Sequence, residues 1–362
     1  MSDLRTVAWE LLIPFTREEE GLPPDAEWTS VTRIPRPPGT ATPPAELIKT
    51  DAARAAEPER PLLHEAVFLN SKAWKFMESL PTTAEMKARF VREVELPPES
   101  MAIKMFFYRI RGDQEVRVRL WDWTKIKVRN LTDLDPSDLA SQCVKLEASP
   151  EGCIAARPHF YTVRINETNK PLFTCGENPC GLEEGDLLIL VGMHVASKQT
   201  PEWLWATFWW RGPDQERLSG TYWTCQDAQR PSSIAAVEPW KNYSMDTTAS
   251  LQLLKPRPDP RTDEALCGYP PTLGDQLHVD PADQGYLATY NPFAEANFPN
   301  GLKANCVNCH ARASTTATRD AKVPVFHDIY SPSLSDLEGT IRLDYLWSLR
   351  RRLDRTFWPP RG

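Results

Sequence analysis

The stretch NCVNCHARAS, residues 305–314, contains the residues most able to do chemistry. Cys306 and Cys309 stand three positions apart, and His310 follows the second cysteine directly. Two thiols at this spacing can form thioether bonds with the two vinyl groups of a haem, and the adjacent histidine can then bind the iron. The motif therefore favours one covalently bound haem c, with Cys306 and Cys309 as attachment points and His310 as the proximal iron ligand.

A zinc site and a redox-active dithiol are the alternatives for the same residues. A structural zinc ion needs four ligands, and His327 is the only later histidine or cysteine that could join the motif. A thioredoxin-like dithiol requires a strand before the first cysteine and a helix that begins at it, and GLKANCVNC does not offer that context. Both alternatives fit the sequence less well than haem.

The sixth position of the iron decides between electron transfer and small-molecule chemistry. No methionine follows Cys309, which excludes the common arrangement with a downstream methionine ligand. His194 adjoins Met193, and because successive strand residues point to opposite faces, at most one of the two can face a haem. We predict His194 as the distal iron ligand, with His278, His327 or an open site as alternatives.

The overall composition limits the classes of function. The chain of 362 residues carries a formal charge of −7, which argues against nucleic-acid binding. Its longest apolar run, LLILVGM, is far shorter than the roughly 18 residues that a membrane span requires, so we expect no membrane span. The first residues, MSDLRTVAWELLIPF, lack the basic start of a secretory signal.

Six cysteines outside the motif point to an oxidising compartment. Cys175 and Cys180 in CGENPC could close a small turn, and Cys143 and Cys153 flank another short loop. The sequence leaves the pairing open, and free thiols in a reducing compartment are the alternative. Because bacteria attach haem to CxxCH outside the cytoplasm, we expect a periplasmic or otherwise exported protein.

Apolar and polar residues alternate along much of the chain, which predicts a mainly β fold of the α+β class. We expect an antiparallel sheet core with flanking helices, long proline-rich loops and a haem bound by the C-terminal segment. A capping box at Thr82 and Glu85 predicts a helix that ends before Pro97, and the tail LDYLWSLRRRLDRTFW predicts a final helix. Five segments are predicted as strands: 101–110, 115–123, 160–166, 185–198 and 201–212.

The distribution of prolines suggests the domain organisation. The chain contains 34 prolines, and IPRPPGTATPP (34–44) is expected to be extended. We predict a proline-rich N-terminal extension at 1–60 and a single β-rich haem domain at 61–362, with the CxxCH segment at 301–330.

A β-rich body followed by a late CxxCH resembles the layout of a known group of bacterial monohaem c-type cytochromes. These are the lysine-cross-linked hydroxylamine-oxidising cytochromes and their cytochrome c-prime-beta relatives. The segments that carry the resemblance are PPESMAIKMFF, LVGMHVASKQTPEWLWATFWWRG, and CVNCHARAS leading to VPVFHDIY. The resemblance implies haem bound by Cys306, Cys309 and His310, and it places Lys104 where the cross-linking lysine would lie. The ending LDYLWSL is also similar to that of larger bacterial CxxCH proteins.

These features together predict a c-type haem redox protein. The first expectation is one-electron transfer between periplasmic partners, which requires a redox protein partner. The alternative is an enzyme that acts on a small nitrogen or peroxide species at an open distal site. A haem-based gas sensor is a third class, but no output domain is visible in the sequence.

Overall fold

A computed structural model describes the parts of the chain considered below. The described residues are 4–11, 28–30, 63–81, 83–89, 91–110, 116–120, 142–146, 159–175, 180–200, 203–211, 230–248, 252–253, 285–286, 291, 293–295, 306–315, 337 and 339–353.

Strands outnumber helices in these ranges, which confirms the predicted mainly β fold of the α+β class. The helices are α1 (Leu4–Glu10), α2 (Ser71–Ser79), α3 (Thr83–Ala88), α4 (Ser232–Ala235), α5 (Cys306–Ala311) and α6 (Ser348–Leu353). The strands are β1 (Trp28–Ser30), β2 (Leu63–Asn70), β3 (Met101–Ile110), β4 (Val116–Leu120), β5 (Gln142–Leu146), β6 (Thr162–Arg164), β7 (Phe173–Thr174), β8 (Leu187–Ser197), β9 (Leu204–Trp210), β10 (Tyr243–Thr248), β11 (Gln252–Leu253), β12 (Gly285–Tyr286), β13 (Ser314–Thr315) and β14 (Ile341–Arg342).

One antiparallel sheet of eight strands forms the body of the protein. Its main order is β1-β2-β3-β8-β9-β10, while β6 pairs with β8 and β7 pairs with β2. The register of β3 against β8 shifts between Phe106 and Phe107, which marks a β-bulge. The strands β4 and β5, β11 and β12, and β13 and β14 form three separate two-stranded sheets.

Apolar side chains cover both faces of the large sheet, so it is a buried middle layer. On one face, Met105, Met193 and Phe208 are fully buried, and Trp9 of α1 packs edge-on against Phe208 with ring centroids 5.5 Å apart. A second cluster joins residues of β8 and β9 to α2, α3, α5 and α6. The CxxCH helix α5 therefore belongs to a second layer that packs on the sheet.

Parts of the predicted N-terminal extension belong to the folded core. Ala8 and Trp9 of α1 are fully buried, and β1 extends the large sheet by pairing with β2. The domain boundary predicted at residue 60 stays a prediction, and the segment 34–44 lies outside the described residues.

The helix predicted from Thr82 is shorter than expected. It begins as predicted at Thr83 but ends at Ala88, far before Pro97. The chain that follows pairs instead with the C-terminal segment, because Val94 N donates to Arg342 O at 2.9 Å and Glu93 forms a β-bridge with Arg342. This pairing extends the backbone and prevents further helix. The predicted final helix is present as α6, where Leu349 and Leu353 are fully buried.

Four of the five predicted strands lie in the large sheet, whereas Val116–Leu120 pairs with β5 in a small sheet. The strand β10 was not predicted. It reads YSMDTT, and all six residues are buried although four of them are polar. None of the helices in the described ranges is long and apolar enough to cross a membrane.

Candidate functional site

The CxxCH motif lies on the short helix α5. Residues three or four positions apart share one side of a helix, which places Cys309 and His310 beside Cys306. Cys306 is buried, while Cys309 and His310 are half-buried. The helix is fastened at its end because Ala313 N donates to His310 O at 2.9 Å and Leu343 N donates to Ala313 O at 2.8 Å. The motif is thus tied to the C-terminal segment.

A single hydrogen bond sets the orientation of the His310 ring. Nδ1 of His310 lies 2.8 Å from the backbone oxygen of Tyr345. A carbonyl oxygen can only accept, so Nδ1 carries the hydrogen and the neutral ring has its lone pair on Nε2. In metal-binding histidines, the ring nitrogen that does not bind the metal commonly donates to a carbonyl or carboxylate oxygen in this way. Within the described ranges, Nε2 of His310 makes no hydrogen bond.

The surroundings keep His310 neutral. Desolvation by the surrounding protein is the main cause that lowers its pKa, to about 3. The hydrogen bond to Tyr345 raises the pKa of His310, whereas the nearby His194 and Lys104 add to the lowering. The ring of Trp205 also contacts the His310 ring, with centroids 4.1 Å apart and planes inclined at 38°. A neutral imidazole held on two sides is ready to bind a metal through Nε2.

Asp344 fixes the turn that presents the Tyr345 oxygen. Both residues have positive φ, 45° at Asp344 and 66° at Tyr345. The Asp344 side chain is only 5% exposed, and both carboxylate oxygens lie 2.7 Å from Lys198 Nζ. The same carboxylate accepts hydrogen bonds from Trp203 Nε1 at 3.1 Å and from Leu96 N at 2.6 Å. A buried ion pair with two further donors therefore supports the turn whose Tyr345 oxygen holds the His310 ring.

The two thiols of the motif are protonated at neutral pH. Desolvation is the largest cause that raises the pKa of Cys309 to about 12, and it raises that of Cys306 well above its usual value. The carboxylates of Glu295 and Asp246 raise the pKa of Cys306 further. A redox-active dithiol has the opposite property, because its attacking thiol has a lowered pKa.

The donor atoms of the motif do not converge on one small ion. Among the described residues, the only three-ligand cluster with donor atoms within 4.8 Å of one another is formed by His64, Cys175 and Cys180. Cys306, Cys309 and His310 are not such a cluster. A tetrahedral zinc ion would require closer donor atoms, whereas a haem binds thiols at its edge and a histidine at its centre. The arrangement disfavours the zinc alternative.

A row of polar side chains crosses the sheet face on which the motif packs. Lys104 pairs with His194, His194 with Thr207, and Thr207 with Asp246, so these four residues share one face. We call them the polar row. Trp205, which contacts His310, lies two residues from Thr207 and therefore on the same face.

The short segment 291–295 adds a carboxylate to the polar row. Asn291 Nδ2 donates to Thr207 Oγ1 and to Phe208 O, both at 2.9 Å. Asn291 N donates to Glu295 Oε2 at 2.6 Å, which leaves Glu295 Oε1 3.2 Å from His194 Nε2. A Cβ on Gly192 would lie 3.0 Å from two Asn291 side-chain atoms, so the glycine permits this close approach.

The predicted distal residue His194 faces the motif side of the sheet. Its Nε2 is buried and, despite its proximity to Glu295, has no aligned hydrogen-bond partner among the described residues. Met193 is fully buried on the opposite face, in register with Met105 and Phe208. The opposite orientations expected of the two neighbours are therefore observed, although ligation by His194 remains a prediction.

The fold brings two methionines near the motif that the sequence did not indicate. Met77 of α2 and Met86 of α3 are fully buried in the same apolar cluster as Cys306. Lys104 also lies close, because its charge lowers the pKa of both Cys309 and His310, and its Nζ is 3.0 Å from Glu65 Oε2. The alternative ligands His278 and His327 lie outside the described residues.

Sequence reasoning missed the residues that support the motif, namely Glu295, Asp246, Asp344 and Tyr345. The turn signal NPF at 291–293 could have indicated that residues near Glu295 adopt a fixed shape. Cys175 and Cys180, one of the pairings that the sequence left open, form a disulfide. Cys143 lies on β5, but Cys153 lies outside the described residues, so that second pairing stays a prediction.

No protein-family model matches the chain, and neither the curated proteins nor the solved structures include a significant match.

Proposed function

We propose that the chain binds one haem c and transfers one electron between redox partners in an exported compartment. The observation that carries the proposal is the Nδ1–H hydrogen bond from His310 to Tyr345 O in a CxxCH motif, which leaves Nε2 available for iron. Cys306 and Cys309 would attach the haem, and their protonated state suits addition of S–H across the vinyl groups.

The residues around the motif fit a haem protein. The bound haem would supply the one-electron couple of its iron. His310 would hold the iron, Tyr345 and Asp344 would fix the ring of His310, and Trp205 would support that ring from the sheet. The buried Nε2 of His194 is a candidate second ligand. If His194 and His310 both held the iron, no ligand position would be left for a substrate, which would favour electron transfer.

A pyridine haemochrome spectrum tests the proposal directly. The protein should be produced together with a cytochrome c maturation system, and the spectrum should then have the band of a haem with two thioether bonds. The Cys306→Ala and Cys309→Ala single variants should each shift the band to that of one thioether bond. A spectrum of ordinary haem b, or the absence of haem, would contradict the proposal.

A specific observation favours a second candidate, an enzyme that acts on a small nitrogen or peroxide species. His194, Glu295 and Lys104 lie together beside the motif, and such groups can hold and transfer protons. In this case His194 would stay paired with Glu295 instead of binding iron. A low-spin oxidised spectrum that becomes high-spin in His194→Ala would support the carrier, whereas a high-spin wild type would support the enzyme.

A further inference from the structure

The Cys175–Cys180 disulfide lies directly beside a buried histidine. The strand β7 pairs antiparallel with β2 through Glu65 and Thr174, so the chain brings Cys175 opposite His64. Nδ1 of His64 is 3.0 Å from Cys175 Sγ. A disulfide sulfur has no hydrogen to give, and the contact is a hydrogen bond only if Nδ1 donates it.

The two cysteines of the disulfide differ in exposure. Cys175 is 4% exposed and His64 2% exposed, whereas Cys180 is half-buried at the side of the core. Thiol–disulfide exchange depends on which sulfur can be reached and on how well the departing thiolate is stabilised. Here the more exposed cysteine and the cysteine whose sulfur has a hydrogen-bond donor are opposite ends of one disulfide. This asymmetry suits attack on Cys180 and departure of Cys175.

We propose that the Cys175–Cys180 disulfide is a thiol–disulfide exchange site for an external dithiol. A thiolate of the dithiol attacks Cys180 Sγ, a mixed disulfide forms there, and the Cys175–Cys180 bond breaks. The electron pair of that bond goes to Cys175 Sγ, which becomes a thiolate that accepts a hydrogen bond from His64 Nδ1. Hydrogen bonds to charged groups are stronger than those to neutral groups, so His64 stabilises the departing thiolate more than the intact disulfide.

The second thiol of the dithiol completes the exchange. This second thiol attacks the other sulfur of the dithiol, which is bonded to Cys180 in the mixed disulfide. The bond to Cys180 breaks, and Cys180 leaves as a thiolate. The external dithiol is oxidised to a disulfide by two electrons, and the Cys175–Cys180 pair is reduced by the same two. The two protons lost by the dithiol are taken up by Cys175 and Cys180. None of these residues belongs to the CxxCH site, and the proposal does not rest on haem binding.

The first experiment measures reduction of the folded full-length protein by dithiothreitol without denaturant. Peptide-resolved mass spectrometry after alkylation separates Cys175 and Cys180 from the other cysteines. We expect the pair to be reduced while tryptophan fluorescence stays native. Reduction that occurs only where the protein unfolds would overturn the proposal and make the disulfide purely structural.

The variants His64→Asn and His64→Leu test whether His64 promotes the exchange by donating a hydrogen bond to Cys175. The amide nitrogen of Asn can replace Nδ1 as a donor, whereas Leu has none. We expect His64→Leu to be reduced about tenfold more slowly than the wild type, the factor that about 1.4 kcal/mol produces. His64→Asn should retain most of the rate. Equal rates for Leu, Asn and the wild type would overturn the role of His64.

The attacked sulfur can be identified without changing His64. Reduced glutathione has a single thiol, so the mixed disulfide that it forms with the oxidised wild type can be trapped by alkylation and located by peptide-resolved mass spectrometry. We expect glutathione on Cys180 and the alkyl group on Cys175. Glutathione found equally or mainly on Cys175 would contradict attack at Cys180.

Discussion

The buried carboxylate of Asp344 should be essential for the stability of the second layer, which packs on the sheet and contains the CxxCH helix α5. The substitution Asp344→Asn removes its charge but keeps its size, and Asn also tolerates the positive φ of 45° at this position. Lys198 is only 7% exposed, so its ammonium group would remain buried without a counter-ion. Removal of one partner from a buried ion pair costs about 3–5 kcal/mol, a large part of a net stability of about 5–15 kcal/mol.

The assay is denaturant unfolding followed by the fluorescence of the 13 tryptophans, with linear extrapolation to water. Two further variants make the result specific to the buried pair. The double variant Lys198→Met, Asp344→Asn removes the stranded charge and should recover at least half of the loss. The control Glu93→Gln breaks the exposed pair with Arg342, whose side chains are 48% and 47% exposed, and should cost less than about 1 kcal/mol.

A loss below about 1 kcal/mol in Asp344→Asn would refute the reasoning, because a buried pair would then behave like a surface pair. Equal losses in the single and double variants would also refute it. In that case the hydrogen bonds to Trp203 and Leu96, and not the buried charge, would determine the stability.

Three further predictions concern the polar row and the motif. Gly192→Ala should destabilise the protein by about 1–3 kcal/mol in denaturant unfolding, because the added Cβ would lie too close to the Asn291 side chain. An unchanged free energy of unfolding would contradict this prediction and mean that Asn291 can move away at little cost. In haem-free protein at pH 7, Cys306 and Cys309 should react with iodoacetamide far more slowly than in unfolded chain, since burial raises both thiol pKa values; fast labelling would indicate a reactive thiolate. The oxidised haem protein should lack the near-infrared band of methionine ligation, and its presence would direct attention to Met77 and Met86.

The parts of the fold that could be predicted are those with a local signal. The segment Met101–Ile110 was predicted with its observed bounds, because an apolar run of strand length is typical of a buried strand. The Cys175–Cys180 disulfide was one of the pairings that the sequence left open, and it was considered because its two cysteines are close in sequence. The strand β10 gave no such signal, because its Ser, Asp and Thr residues are buried against neighbours that only the folded chain provides.

The residues of the candidate site also differ in whether a local sequence signal predicts them. Cys306, Cys309 and His310 form a contiguous motif and could be named from the sequence. The bond from Lys198 to Asp344 spans 146 positions, and Glu295 reaches His194 through the turn at Asn291. Contacts across such distances depend on strand register and loop path, which no local pattern encodes. The helix from Thr83 ended early for a related reason, since pairing with the C-terminal segment outweighed helix propensity.

Covalent attachment of haem to Cys306 and Cys309 is the central claim, and a haem-stained denaturing gel tests it most directly. The wild type and the double variant Cys306→Ala, Cys309→Ala should be produced with the same maturation system, denatured and separated under identical conditions. We predict that haem migrates with the wild-type chain and is absent from the double variant, while both chains are present in equal amount by total protein stain. A wild-type chain without haem, or a double variant that retains it, would contradict the claim.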